Sequence, residues 1–358
     1  MPSPAIDELL RSLFDQGASD LHLCVGTPPM MRKDGDIQPL LPDRDALGPA
    51  DVSALLGEIM PEHNRVEFDA RRDTDFAHEI EGVARFRANV FADRKGMGGV
   101  FRVIPSAILS AEALNLSPHI LQLCNLTKGL VLVTGPTGSG KSTTLCALVD
   151  YINRHRQEHI ITIEDPIEFV HPNKRCLVNQ REVRTHTESF KAALRAALRE
   201  DPDIVLVGEL RDLETIAIET AETGHLVCGT LHTTTAASTV DRVIDQFPAD
   251  RQAQIRVMLS ESLRGVIAQT LCRKIGGGRV AALEVLLVNA AISNLIREGK
   301  TFQLPSMMQV GKASGMVMLN DALLEMVKSK TITRDEALLK SVDKAGLDAQ
   351  LKRLGHAA

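Results

Sequence analysis

The run Gly135-Pro136-Thr137-Gly138-Ser139-Gly140-Lys141-Ser142-Thr143 constrains the fold more than any other stretch of the chain. A continuous apolar segment, 129–134, precedes it, and residues 145–151 read as helix. An apolar run without polar alternation suits a strand buried on both faces, as in a parallel sheet flanked by helices. The glycines at 135, 138 and 140 let backbone N–H groups converge on phosphate oxygens where the helix begins. Lys141 has the reach for β and γ phosphates, and the Ser142 hydroxyl can ligate Mg²⁺. With strand and helix both in place, the pattern predicts an α/β phosphate-binding fold that hydrolyses ATP, rather than a plain glycine-rich turn.

Three further segments supply what such a loop needs. Residues 160–168 read as a strand whose C-terminal end delivers Glu164 and Asp165 before Pro166 stops it. Open α/β sheets place ligands at that end of their strands, although a solvated strand terminus would look the same taken alone. Residues 203–209 repeat the arrangement, an apolar strand ending in Glu209, as expected where Mg²⁺ or the attacking water is held beside the γ-phosphate. Glu209 is the first choice for the catalytic acid. Whether Glu209 or Glu164 orients the water stays open. Residues 223–233 form a fourth strand with His225 and His232 at its two ends, neither with a metal-ligand partner at useful spacing. Both are sensor candidates; His232, at the C-terminal end, is the one read as contacting γ-phosphate or water.

The string Leu198-Arg199-Glu200-Asp201-Pro202-Asp203-Ile204-Val205-Leu206-Val207-Gly208-Glu209-Leu210-Arg211-Asp212 resembles, along its whole length, the Walker B signature of the secretion superfamily of hexameric ATPases, which drive type II secretion and type IV pili. By the same resemblance residues 163–169 correspond to that superfamily's Asp box and 223–233 to its His box. The resemblance implies a RecA-like core, ATP and Mg²⁺ as ligands, and a homo-hexamer.

It extends to the N-terminal third, where residues 17–23 and 28–36 look like the opening of the family's first domain. There the residues themselves predict a strand over 20–25, a hairpin turn at Asp34-Gly35, helices over 51–60 and 61–70, and strands over 74–80, 83–92 and 98–104, the last ended by Pro105. Helices between strands without βα alternation argue for a small α+β domain, whose family equivalent is PAS-like. Arg85 and Arg87 share one strand face and Arg102 lies on the next strand; the plain reading is exposed arginines on a half-buried sheet. In the family, arginines of the matching strands reach nucleotide phosphates, partly from a neighbouring subunit. A permanently charged guanidinium suits that work.

The 358 residues carry a net charge of −5, no tryptophan and one tyrosine, which argues against a nucleic-acid translocase built on a basic stripe with stacking aromatics. No segment reaches the roughly 20 apolar residues of a membrane span, and the first residues lack the basic start and apolar core of a secretory signal. The expected location is cytoplasmic, at the inner-membrane pilus base through partners. Six cysteines at 24, 124, 146, 176, 228 and 272 form no CxxC pair, so neither a zinc cage nor a disulfide framework is expected.

Assembly ATPases of the superfamily commonly carry a four-cysteine zinc insert and an extra N-terminal domain, so the resemblance favours the retraction branch. The tract Ala291-Ile292-Ser293-Asn294-Leu295-Ile296-Arg297-Glu298 resembles the AIRNLIRE motif of that branch, with Ser293 where the family has arginine. Read helically, Ile292, Leu295, Ile296 and Gly299 trace one face, which equally describes an amphipathic helix covering a core.

The expected organisation is a PAS-like domain over 1–108, a linker over 109–118, a RecA-like ATPase domain over 119–288, C-terminal helices over 289–345, two of them at 319–329 and 334–342, and a frayed tail over 346–358. The implied partners are an inner-membrane pilus platform protein and a second retraction ATPase. An accessory motor, a DNA-transport relative and a nucleotide-gated binding module are the rival readings.

Overall fold

The computed structural model describes residues 5–33, 35–104, 108–210, 214–353 and 355. Asp34 of the expected hairpin, Pro105, expected to end the last strand of the first domain, and Arg211 and Asp212 of the Walker B string lie outside the described residues. The chain divides into two compact units, Met1–Ala107 with Pro166–Val170, and Ile108–Asp165 with His171–Ala358.

The first unit is an antiparallel sheet of β1 (Asp20–Leu23), β2 (Met30–Lys33), β3 (Asp36–Pro39), β4 (Asp73–Ile80), β5 (Ala84–Asp93) and β6 (Gly96–Ile104), in the order β3-β2-β1-β6-β5-β4. Helices α1 (Ala5–Asp15), α2 (Pro49–Ile59) and α3 (Glu62–Arg71) complete it. Strand alternation sorts its faces: Ala84, Phe86, Ala88 and Val90 are buried, so Arg85, Arg87 and Asn89 lie on the other face. The sequence reading omits α1, although Ile6, Leu9, Leu10 and Leu13 recur at helical spacing and all are buried.

The second unit is a seven-stranded sheet in the order β13-β12-β7-β11-β10-β8-β9. Its strands are β7 (Gly129–Thr134), β8 (His159–Glu164), β9 (Leu177–Glu182), β10 (Ile204–Val207), β11 (Leu226–Leu231), β12 (Leu263–Arg273) and β13 (Arg279–Leu287). All neighbours pair in parallel except β13, which closes one edge antiparallel to β12. The apolar runs are shared between two cores: Leu130, Leu132, Val227 and Leu231 enter one, and Val131, Val133, Leu226 and Cys228 the other. Period-two alternation with both faces covered is why these strands read as unbroken hydrophobic runs.

The helices of this unit are α4 (Pro118–Leu123), α5 (Lys141–His155), α6 (Phe190–Ala197), α7 (Glu214–Glu222), α8 (Ala236–Asp245), α9 (Ala249–Ser262), α10 (Ala290–Arg297), α11 (Leu304–Val310), α12 (Leu319–Lys328), α13 (Arg334–Lys340) and α14 (Lys344–Arg353). The last one corrects the expected frayed tail over 346–353. Leu347 and Leu351, four residues apart on α14, are fully buried in a cluster with Leu319, Leu323 and Ile332. Burying a leucine contributes ~1.5–3 kcal/mol, enough to hold a short helix whose other residues are charged or amide side chains, alanine and glycine. Among the described residues no helix is long and apolar enough to cross a membrane.

Candidate functional site

Parallel pairing assembles the site. Thr134 of β7 lies opposite Leu231 of β11, Val207 of β10 opposite Gly229 of β11, and Ile163 of β8 opposite Val207. Four C-terminal strand ends therefore share one edge of the sheet, and the chain leaves them as the phosphate loop, His232, Glu209 and Glu164.

The loop has the backbone that the sequence demands. Gly135, Gly138 and Gly140 have φ of 146°, 76° and 87°, a region that favours glycine. A Cβ on Gly135 would lie 2.2 Å from the carbonyl oxygen of Gln269, so the constraint there is also one of space. Pro136, Thr137 and Gly138 form an exposed crown, Ser139 is buried, and Ser142 and Thr143 stand in the first turn of α5 with Ser142 exposed. The Ser139 hydroxyl is buried without a hydrogen-bond partner. Lys141 is 9 % exposed, and its ammonium donates to the carbonyls of Gly135 at 2.8 Å and Pro136 at 3.1 Å.

His232 links this loop to the acid. Its Nδ1 lies 3.5 Å from Lys141 Nζ and its Nε2 lies 3.0 Å from Glu209 Oε1. An ammonium can only donate, so the arrangement is satisfied by the tautomer that accepts at Nδ1 and donates from Nε2 to the carboxylate. Glu164 is held separately, its Oε1 accepting from Thr162 Oγ1 at 2.6 Å and from Gln180 Nε2 at 3.2 Å. Gly208 lets the two acidic strand ends come together, since a Cβ there would lie 3.3 Å from the Ile163 carbonyl and 3.4 Å from Glu164 Cα. Thr230 Oγ1 donates to the Gly208 carbonyl at 2.5 Å and fixes the turn into Glu209. A cleft of about 730 Å³ opens over Thr137, Glu209, His232 and Thr233 and is bounded by Arg242 and Gln246.

Oxygen donors and a converging amide loop fit a nucleotide phosphate with Mg²⁺. The buried, partnerless Ser139 hydroxyl is a group that a phosphate oxygen would satisfy, and the Lys141 ammonium stands on the carbonyls of the same loop. Among the described residues no group of three or more His, Cys, Asp or Glu side chains could cage a metal. Mg²⁺ beside a nucleotide needs no cage, because it keeps water and takes one or two protein oxygens with the phosphates.

The structure separates the two histidines. His225 stands just before β11, at the opposite edge of the sheet from His232, with Nδ1 3.2 Å from the Thr220 carbonyl oxygen. Seven residues at ~3.3 Å each put it about 23 Å away. The sensor assignment for His225 is therefore corrected: the strand between the two histidines is fully extended, so only one end can reach the loop.

Two residues of the site escape the sequence reading. Gln269 on β12 is 4 % exposed; its Nε2 donates to the Ser139 carbonyl at 2.6 Å and its Oε1 accepts from Thr144 Oγ1 at 2.7 Å, clamping the loop to α5. The available signal was an amide inside the mostly apolar stretch 263–272. Arg242 is an exposed residue of α8, a helix that carries no motif.

On the first unit, Arg87 and Arg102 are direct cross-strand partners and Arg85 pairs with Ile104, so the three arginines form one stripe. Each has an acid: Glu79 3.3 Å from Arg85, Asp75 3.6 Å from Arg87 and Asp20 2.8 Å from Arg102. Burial works to raise the Asp20 pKa, but hydrogen bonds from Ser19 and Arg102 outweigh it and hold the carboxyl below its ordinary range.

The 291–298 tract forms α10. Asn289 caps it by accepting from the Ile292 N–H at 3.0 Å, Ile292 and Ile296 are fully buried, and Leu295 is partly buried. Ala291 is exposed and Ser293 half-buried, Asn294 donates to Glu298 at 2.9 Å, and Arg297 lies 3.8 Å from Glu261 on α9. The helix does cover the core.

This geometry agrees with the comparisons to known proteins. The chain is 55 % identical over 338 residues to the type IV pilus retractation ATPase PilT of Pseudomonas aeruginosa, covering 94 % of this chain and 98 % of that one. It is 50 % identical over 337 residues to a twitching motility protein of Neisseria gonorrhoeae, covering 93 % and 89 %. The solved structure of the pilus retraction motor PilT with bound ADP superposes with a TM-score of 0.89 at 48 % identity, covering 96 % of this chain and 98 % of that one. The profile of the family described as type II/IV secretion system protein matches residues 3–338, so this chain, with its RecA-like sheet and its loop, belongs to that family.

Proposed function

We propose that this chain is the ATP-hydrolysing motor of type IV pilus retraction, working as a homo-hexamer at the cytoplasmic side of the pilus base. The observation that carries the reading is the chain of contacts from Lys141 through His232 to Glu209 across adjacent parallel strand ends. It brings a phosphate-binding cation, an imidazole and a carboxylate together at one end of the sheet, groups that a triphosphate hydrolase can use to neutralise charge, sense the γ-phosphate and position water. The cellular role follows from the relatives, which are named for pilus retraction and twitching motility.

In the proposed reaction, amides of residues 135–143 cradle the phosphates and Lys141 moves from its loop carbonyls onto the β and γ oxygens. Ser142, with Glu209 directly or through a water, would hold Mg²⁺, which would supply positive charge to offset that of the phosphates. Glu209 or Glu164 orients the attacking water, and His232 reports the γ-phosphate through its two ring nitrogens. Positioning and electrostatics provide most of the acceleration of such a step. Arg85, Arg87 and Arg102 complete the charge from a neighbouring subunit, exchanging their carboxylate partners for phosphate. Release of that grip after hydrolysis lets the PAS-like unit, 1–108, move about the 109–118 linker, and this closure cycles round the ring. The retraction tract 291–298 passes the movement to an inner-membrane platform protein, with a second retraction ATPase as a further partner.

Mg²⁺-dependent ATP turnover measured against protein concentration, with oligomer size recorded on the same samples, tests the reading. Specific activity should rise as hexamers form. Constant activity in a monomer rules out a site completed between subunits, and ATP binding without turnover points to a nucleotide-gated binding module.

A further inference from the structure

Glu284, on the edge strand β13, is 4 % exposed and lies opposite Ala268, which in turn pairs with Thr134 at the root of the phosphate loop. Its two oxygens serve two helices. Oε1 accepts from the Ala236 N–H at 2.7 Å and Oε2 from the Leu319 N–H at 3.1 Å. These are the first residues of α8 and α12. Each N–H is one of the donors that a helix leaves unmade at its start, and one buried carboxylate satisfies both.

What α8 begins is the exit of the His232 loop. Thr239, one turn into α8 and fully buried, bonds Thr233 through the two hydroxyls at 2.7 Å, donates to the Thr235 carbonyl at 2.7 Å and lies 3.4 Å from the Thr134 hydroxyl. Residues 232–235 are thus held from behind by Thr239 and at their far end by the grip of Glu284 on Ala236. On the other side, Val317 pairs with Val285 in both directions, at 2.8 and 3.0 Å, which seats the approach to α12 beside the carboxylate.

We infer that Glu284 is a positioning residue: it anchors the His232 loop to the C-terminal helices and so sets His232 against Glu209 and Lys141. This rests on the nucleotide-site role of His232. A side chain that fixes geometry by fractions of an ångström governs turnover more than affinity.

Glu284→Gln is nearly isosteric but presents an NH₂ group to one of the two N–H donors, so one bond is lost. The expected result is a roughly tenfold fall in kcat with KM for ATP within about twofold. In a His232→Ala background the same substitution should cost almost nothing further, because both act on one element. Thr239→Val, which deletes the next link, carries the same test if Glu284→Gln does not fold. Thr333→Ala, which removes the N-cap of α13 away from this chain of bonds, should lower thermal stability with kcat unchanged.

Losses that add in the double variant, unchanged kcat in Glu284→Gln, or an equal fall in Thr333→Ala each overturn the proposal. Wild-type turnover in His232→Ala alone would instead overturn the reading of the site on which it rests.

Discussion

The two units carry charge on β-strands in opposite ways. In the second unit, residues far apart in sequence meet because parallel strands end at one edge, and the polar groups there are held by neighbours: Lys141 by loop carbonyls, His232 between lysine and glutamate, Glu164 by Thr162 and Gln180. In the first unit, Arg85, Arg87 and Arg102 line up through two-residue alternation and cross-strand register, on a face that solvent reaches. Their acidic partners are half-exposed or peripheral, except Asp20, and exposed ion pairs are worth ~0–1 kcal/mol. One unit is a preorganised site; the other offers cations of which Arg85 and Arg87 can pass to a more highly charged anion at little cost, whereas taking Arg102 leaves the buried Asp20 carboxylate to Ser19.

The largest break in that comparison comes from the preorganised side. Lys141→Ala should reduce turnover by at least about 10²-fold and weaken nucleotide binding, since it removes the one buried ammonium of the loop. Fluorescent-nucleotide titration alongside a phosphate-release assay checks both parts. Retained turnover would place the chemistry elsewhere.

Glu209→Gln should bind ATP with affinity within a few-fold of wild type yet lose about 10²-fold in kcat. An unaltered rate would move the water-orienting role to Glu164, whose own hydrogen bonds hold it on the neighbouring strand. The structure gives each acid a distinct setting, so the two substitutions are not expected to behave alike.

Arg102→Ala tests whether the exposed stripe is used at all. A roughly tenfold loss is expected, as one of three cations acting together. Mixing it with Lys141→Ala protein should restore part of the rate, because each variant supplies what the other lacks across a subunit boundary. Failure to recover on mixing, with mixed rings demonstrated, would place the arginine within its own subunit's site. The smallest effect is expected at Ser293→Arg: ATP turnover unchanged, and retraction force in a twitching assay altered, since the side chain is half-buried on a helix whose core face is Ile292 and Ile296. A change in turnover there would tie α10 to the chemistry.

Much of the site was legible because its determinants are local. The loop 135–143, Glu164, Glu209 and His232 each sit next to an apolar run that identifies a strand, and the place of ligands in α/β sheets does the rest. The stripe of arginines followed from alternation. Gln269 and Glu284 were not legible: each is a polar residue inside a mostly apolar strand, and its meaning depends on which groups lie across from it. His232 was singled out by its place at the C-terminal end of a strand, but His225 stayed a candidate until the length of that strand removed it from the loop. The helix α14 was hidden by its polar composition, with only Leu347 and Leu351 to show that it has a buried side.

The sequence by itself determined the phosphate loop, the order of the core strands along the chain and the alternation that sorts arginines from core residues, because glycine conformations, hydrophobic periodicity and side-chain reach act within a few residues. Only the tertiary structure decided which histidine meets the lysine, that Gln269 clamps the loop, and that one buried carboxylate serves two helix ends. Those are hydrogen bonds between groups from about 35 to 130 residues apart along the chain, and their partners are fixed by strand pairing and helix packing, which no local pattern encodes.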